Sequence, residues 1–346
     1  MGKRGKKGGN YGKHGGPRGG GGSWGADVKQ ENEGFERYYK AVGIVPEEEW
    51  DEFWSTLKVV LPTTFRVTGS RATAQDLNAI IKEQHVPSLA GVEFEGKVVE
   101  PPRQLPWYPD GLGWQFDVSK SVLRKTPEYK KFHNFLVYET EVGNISRQEA
   151  VSMIPPLLLD VQPHHTVIDM CAAPGSKTAQ LLEALHANDT VLETSFPQGL
   201  LIANDSDYKR SHMLVHQSAR LPSPALMVTN LDASSYPRIY TSPTSGKLLF
   251  DRILCDVPCS GDGTVRKNMG IWKNWTPMNG NGLHSLQLRI LVRAMHMLQP
   301  GGRLVYSTCS MNPVENEAVV AGALSKFTDF ELVDVSTSLL ELKRRP

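Results

Sequence analysis

The sequence predicts an α/β protein, a doubly wound parallel sheet preceded by an N-terminal accessory region. Beyond residue 150, short apolar runs alternate with amphipathic helical patterns, the arrangement of parallel strands joined by helical crossovers. Carboxylates recur where three of those runs end, at Asp205, Asp232 and Asp256. A small-residue loop around Gly175 separates the first run from the first helix, where such sheets bind ligands.

The elements follow in order. Residues 1–22 hold eleven glycines, six cations (Lys3, Arg4, Lys6, Lys7, Lys13, Arg18) and no carboxylate. Such a stretch cannot bury enough apolar surface to fold, so residues 1–30 are expected to be a disordered basic tail, either a polyanion-binding or nuclear-import arm or a solubilising one. Residues 31–145 form the expected accessory, RNA-contacting region. Within it, Phe35, Tyr38, Tyr39 and Val42 have helical spacing, Pro46 opens a segment carrying Trp50, Phe53, Trp54 and Leu57, Leu61 to Val67 reads as a strand, and Ala74 to Gln84 as a helix. Between Lys120 and Phe135, Lys120, Arg124, Lys125, Lys130 and Lys131 alternate with Tyr129, Phe132 and Phe135. That mixture suits phosphate neutralisation with base stacking, or an amphipathic helix with a solvated basic face. Residues 146–346 form the expected main domain, with strands at 166–171, 200–204, 225–230, 252–256, 302–308 and 330–335 and helices at 176–186, 208–220, 283–298 and 314–327.

The 346-residue chain is 40% apolar and long enough for two cores. No apolar run nears the roughly 18 residues of a membrane span, and none follows the charged start as a signal peptide would, so a soluble, intracellular chain is expected. Four cysteines in strand-like surroundings argue for reduced thiols. Zinc is disfavoured as well: Cys255 and Cys259 have a tolerable spacing, but Cys171 and Cys309 are solitary and no histidine shows ligand spacing beside them.

Ala172 to Thr178 ends in Gly-Ser-Lys-Thr, yet a triphosphate loop needs glycine directly before lysine, and a dinucleotide fingerprint needs more than one glycine. A nucleoside-bearing cofactor without pyrophosphate fits better, with Asp205 placed for ribose hydroxyls and Asn230-Leu-Asp232 for an adenine amino group. A carboxylate at a strand end can equally be a turn or helix cap. Cys259, in Asp-Val-Pro-Cys-Ser-Gly, and Cys309, in Ser-Thr-Cys-Ser, each follow a strand-like run. Two such thiols suit methylation of a pyrimidine carbon, which must be activated by one thiolate and relieved of its proton by a second base. Alternation points Cys255 away from Asp256 and into the core.

Together Asp169-Met-Cys-Ala-Ala-Pro-Gly-Ser-Lys-Thr178, Asp256 to Thr264, Arg266-Lys267, Tyr306 to Pro313 and Arg147 to Pro156 resemble the signature motifs of the Sun-family RNA cytosine-C5 methyltransferases, in particular the eukaryotic multisite tRNA branch. The resemblance runs from about residue 33 to 335. It implies a Rossmann-like class I methyltransferase sheet and S-adenosylmethionine as cofactor, held by Cys171, Ala172, Ala173, Pro174, Gly175, Ser176, Lys177, Asp205, Asp232 and Asp256. It further implies Cys309 as nucleophile, Cys259 as the group assisting release, and Lys177 and Asp256 as contacts of the target cytosine. RNA, foremost tRNA, would be the partner of a monomeric, metal-free and membrane-free enzyme in the nucleus, with nucleolus and cytoplasm as further sites. That family continues with an antiparallel strand beyond position 346, so an exposed sheet edge and weak stability or activity are expected here. A DNA cytosine-C5 enzyme, which would attack with the Pro-Cys cysteine, and a non-catalytic RNA-binding relative are the alternatives.

Overall fold

The structure, a computed structural model, describes residues 28–94, 97–118, 122–124, 126–189, 196–240, 246–339 and 341–342. The expectations for the basic tail at 1–22, for Lys120 and Lys125 and for the last four residues lie outside that set.

The chain begins with α1 (Glu33–Val42), capped by the Asn32 side chain, which accepts the Phe35 N–H at 2.9 Å, and closed by Gly43 at φ 69°. It continues through α2 (Trp50–Thr56) and β1 (Thr63–Val67) to α3 (Ala74–Ile80), a π-helical turn (Ile81–His85) and α4 (Val86–Leu89). Next come β2 (Glu93–Phe94), β3 (Lys97–Val98), β4 (Arg103–Gln104), β5 (Gly113–Phe116), α5 (Pro127–Glu141) and β6 (Ile145–Ser146). The second half comprises α6 (Ile154–Leu159), β7 (Thr166–Asp169), α7 (Ser176–Leu185), β8 (Leu200–Asn204), α8 (Tyr208–Ser218), β9 (Leu226–Thr229), β10 (Phe250–Asp256), α9 (Gly270–Asn274), α10 (Met278–Met295), β11 (Leu298–Ser307) and α11 (Glu317–Leu324).

Two sheets organise the molecule. The first, β4-β5-β1-β6, is antiparallel and buries Phe65, Val67, Trp114 and Phe116 against Leu77, Ile81, Leu89, Tyr129, Phe132 and Leu136. The second, β11-β10-β7-β8-β9, is parallel at every pairing. Strand order reverses between β7 and β10, so a crevice opens beyond their carboxyl ends.

The stretch expected as one accessory region packs in two places. Residues 63 to 146 build the antiparallel sheet with its helices, whereas α1 and α2 lie against α9 through Phe35, Tyr39, Trp50, Trp272 and Trp275. Phe35 sits 5.1 Å from Trp275, ring centre to ring centre, in an edge-on contact.

Two expectations fail here. Tyr129 and Phe132 are fully buried on α5, because their helical spacing aims them at the sheet, and so they cannot stack on bases. The alternative, an amphipathic helix with solvated cations, fits α5, where Lys130 and Lys131 are exposed. Residues 330–335 form no strand: although Leu332 and Val333 are apolar, they are exposed and join none of the described sheets.

Arg66 ties the two halves together. Its fully buried guanidinium donates from Nη1 to both Glu183 carboxylate oxygens, at 2.6 and 2.7 Å, and from Nε to Gln148 Oε1 at 3.0 Å. Arg66→Ala leaves the charge of Glu183 with only the Gly69 N–H, at 3.1 Å, so urea denaturation is expected to show a loss of about 3 kcal/mol. A loss below about 1 kcal/mol would show that the pair contributes little beyond solvent contacts.

Candidate active site

The loop after β7 is shaped by glycine and by Asp205. Gly175 adopts φ 114°, and a Cβ there would meet Leu214 at 3.0 Å, so the chain turns tightly into α7 with no capping side chain over its first amides. Ala172 N donates to Asn204 O at 2.7 Å and Ala173 N to Asp205 Oδ2 at 3.2 Å. Asp205 Oδ1 accepts the Asp207 N–H at 2.9 Å, and Arg210 approaches Asp205 at 3.5 Å while donating to Ala173 O. At 2% exposure Asp205 therefore braces the loop from beneath instead of presenting a free carboxylate. The Asn230 side-chain amide donates to Asp205 O at 2.6 Å, which occupies it internally. Asp232 is exposed and caps a short 3-10 turn by accepting the Ser234 N–H at 2.8 Å. Below the loop, Asp169 accepts the Thr178 hydroxyl at 2.7 Å, and burial with Asp256 nearby pushes its carboxyl up to about 7.

The carboxyl ends of β10 and β11 carry the thiols. Alternation buries Cys255 completely and turns Asp256 outward, where Oδ2 accepts Lys177 Nζ and Oδ1 the Ser307 hydroxyl, both at 2.8 Å. Lys177 also donates to Ser152 Oγ at 2.9 Å. Parallel pairing of Asp256 with Ser307 puts the two following loops side by side, so that Cys259 Sγ lies 3.3 Å from Cys309 Sγ with both thiols free. The two sulfurs are not equivalent. The hydrogen bond with Cys259, together with Lys267 and Lys177, holds Cys309 below the ordinary thiol range against burial and the charge of Asp256. The hydrogen bond to Cys309, together with burial, raises Cys259. Cys309 is thus the more acidic thiol of the pair and Cys259 the less acidic.

This asymmetry sets a pH dependence. Alkylation of Cys309 by iodoacetamide should show a midpoint below the free-thiol value of about 8.5, because the lowered group stays ionised to lower pH. Cys259→Ala removes the leading cause of that lowering, so the midpoint should move upward. An unchanged midpoint in Cys259→Ala would show that the sulfur pair does not set the ionisation.

With this geometry in place, the comparisons are informative. Residues 156–344 match the family "16S rRNA methyltransferase RsmB/F". The chain belongs to the RsmB/F family. It is 58% identical over 308 residues to the multisite-specific tRNA:(cytosine-C(5))-methyltransferase of Saccharomyces cerevisiae, covering 88% of this chain and 44% of that protein. It is 32% identical to the tRNA (cytosine(49)-C(5))-methyltransferase of Pyrococcus abyssi, covering 88% of this chain and 81% of that one. The fold is that of NSun6 from Pyrococcus horikoshii with SFG, at TM-score 0.64 and 19% identity, covering 87% of this chain and 88% of that one. The chain spans about half the length of the first of its curated relatives.

In this RsmB/F member, two buried carboxylates that motif reading left without a role hold the thiol loops in register. Asp262, fully buried, accepts Trp275 Nε1 at 3.0 Å and the Tyr39 hydroxyl on Oδ2, and Ser310 Oγ at 3.0 Å and Met311 N at 2.8 Å on Oδ1. Glu315, also fully buried, accepts Ser260 N at 2.8 Å and Gln287 Nε2 at 3.0 Å on Oε1, and the Ser260 and Ser310 hydroxyls at 2.5 and 2.6 Å on Oε2. Each carboxylate therefore links the Cys259 loop to the Cys309 loop. Gly263 completes the junction: its N–H donates to Cys309 O at 3.0 Å, and a Cβ there would sit 2.8 Å from that oxygen. The available signal was the acidic character of positions 262 and 315 beside serine-rich turns, but only the fold shows which turns they join. Among the described residues no group of three or more His, Cys, Asp or Glu is arranged to hold a metal, and no helix is long and apolar enough to cross a membrane.

Proposed function

We propose that this chain methylates C5 of cytosine in RNA, foremost tRNA, through a transient bond between Cys309 and C6 of the base. The observation that carries this reading is the 3.3 Å sulfur pair, in which Cys309 is the more acidic thiol and Cys259 the less acidic. The similarity to tRNA (cytosine-C5)-methyltransferases supports it.

The crevice suits S-adenosylmethionine. The glycine-turned loop from Cys171 to Lys177 leaves backbone amides at the start of α7 for a carboxylate, and Asp232 stands exposed at the neighbouring strand end. The analogue SFG bound to the similarly folded protein agrees with this assignment. When bound, the cofactor supplies an electrophilic methyl group.

The chain's own groups do the rest. Cytosine C5 is a weak nucleophile until the Cys309 thiolate donates an electron pair to C6, shifting the C5–C6 π electrons onto the ring and making C5 enamine-like. The Asp256 carboxylate, held by Lys177 and Ser307, can orient the base edge while Lys177 offsets charge building on the ring. Once Cys309 sulfur is bonded to carbon, the hydrogen-bonded thiolate that raised Cys259 no longer exists. Cys259 then releases its proton to solvent more readily, and the resulting thiolate, directly or through a water, takes the C5 proton. The C5–C6 double bond re-forms and expels the Cys309 thiolate. A base inside a duplex cannot reach Cys309, so the target must be unpaired or flipped out at a cost of a few kcal/mol.

RNA carrying tritium at cytosine C5 tests this directly. Methylation must release one tritium to water for each methyl group transferred. Methyl transfer without tritium release would place the methyl on another atom and end the proposal.

A further inference from the structure

At the opposite end of the parallel sheet lies a basic cleft that the reaction does not use. β10 has seven residues from Phe250 to Asp256, so at about 3.3 Å per residue the cleft stands roughly 20 Å from the thiols. Two concavities of about 150 and 220 Å³ adjoin there and share Arg293 and His296. Their walls carry Arg238, Lys247, Arg289, Arg293, His296 and Lys326, and no described carboxylate lines either one. None of the five lysines and arginines makes an ion pair or side-chain hydrogen bond with a described residue. Arg293 Nε is buried without an acceptor, and burial together with the charge of Arg238 disfavours its ionised form.

Like charges gathered in a concavity with unused donors call for an anion. Arg289, Arg293 and His296 are four and then three residues apart on one face of α10 and just beyond its end. At 1.5 Å per residue they form a stripe of about 10 Å, longer than one phosphate group. Lys326 and Arg238 flank that stripe from other segments.

We propose that this cleft is a second RNA-binding site that grips the phosphate backbone of the folded substrate away from the target base. The inference rests on the RNA reading above. It assigns the cleft a positioning role: affinity for a folded RNA comes from both ends of the sheet, whereas chemistry occurs at one.

The exposed residues allow a test that leaves the core intact. In Arg238→Glu/Arg289→Glu/Lys326→Glu, affinity for a tRNA transcript should fall at least about 10-fold near 0.1 M salt. The slope of log K against log salt should shrink by about 0.7 to 0.9 for each phosphate that is no longer neutralised. Binding of a short oligonucleotide that contains the target cytosine and cannot span both sites should be unchanged, as should turnover at saturating RNA. Unchanged tRNA affinity and slope would overturn the proposal, and so would an equal loss for the short oligonucleotide. Loss of polyglutamate binding with tRNA binding retained would also overturn it, assigning the cleft to an acidic protein. If the unaltered chain binds tRNA yet releases no tritium from labelled cytosine, the methylation reading fails while the cleft result stands.

Discussion

Cys309→Ala is expected to abolish methyl transfer and covalent RNA capture together, whereas Cys259→Ala should still form the adduct and fail to resolve it. The difference follows from the asymmetry of the pair, in which Cys309 is the more readily ionised sulfur and Cys259 the weaker acid until Cys309 has bonded. Loss of the nucleophile should lower turnover on the order of 10⁴-fold or more, since no other described thiol is both exposed and at a strand end. In Cys259→Ala the C5 proton lacks its acceptor, so a denaturation-resistant protein–RNA band should accumulate on a gel when RNA and methyl donor are both present. A reversed pattern, with the adduct trapped by Cys309→Ala, would move the nucleophile to Cys259 and make the DNA-type arrangement the better description.

The second large effect is expected at a residue that never touches the base. Asp262→Ala removes the fully buried acceptor shared by Tyr39, Trp275 and the half-buried Met311 N–H, while Ser310 keeps its second acceptor on Glu315. Buried donors left unmade cost about 1 to 3 kcal/mol each, and partial relaxation brings the expected total to roughly 3 to 5 kcal/mol. Urea denaturation measures that loss. A positioning role predicts more than instability: Asp262→Asn, which keeps the shape but has one accepting oxygen in place of two, should recover part of the stability. Its alkylation midpoint at Cys309 should still move upward, because the loop that holds the sulfurs 3.3 Å apart loosens. A stable Asp262→Ala with an unmoved midpoint would show that the thiol loops need no clamp.

Much of this architecture was legible because parallel strands buried on both faces read as short apolar runs. The runs at Thr166, Leu200, Ala225 and Arg252 lie within a residue or two of the observed strands. The run at 330–335 has the same texture and fails, since a strand also requires a neighbour for its backbone groups and none of the described strands pairs with it. Tyr129 and Phe132 illustrate the converse. Aromatic residues among lysines fit either base stacking or a core, and only the direction in which α5 faces the antiparallel sheet selects the core.

What the linear order determined by itself was the chemistry on offer: two thiols, one lysine and one aspartate, each placed directly after an apolar run, because strand ends are encoded by local alternation and turn residues. What the tertiary structure alone decided was how those groups differ. Parallel pairing of Asp256 with Ser307 set the two sulfurs beside each other, Asp262 and Glu315 locked their loops, and the same packing turned Asp205 inward as a brace. Ionisation and burial depend on which charges and donors surround a group in space, and residues 50 positions apart in the chain acquire those surroundings only when the sheet forms.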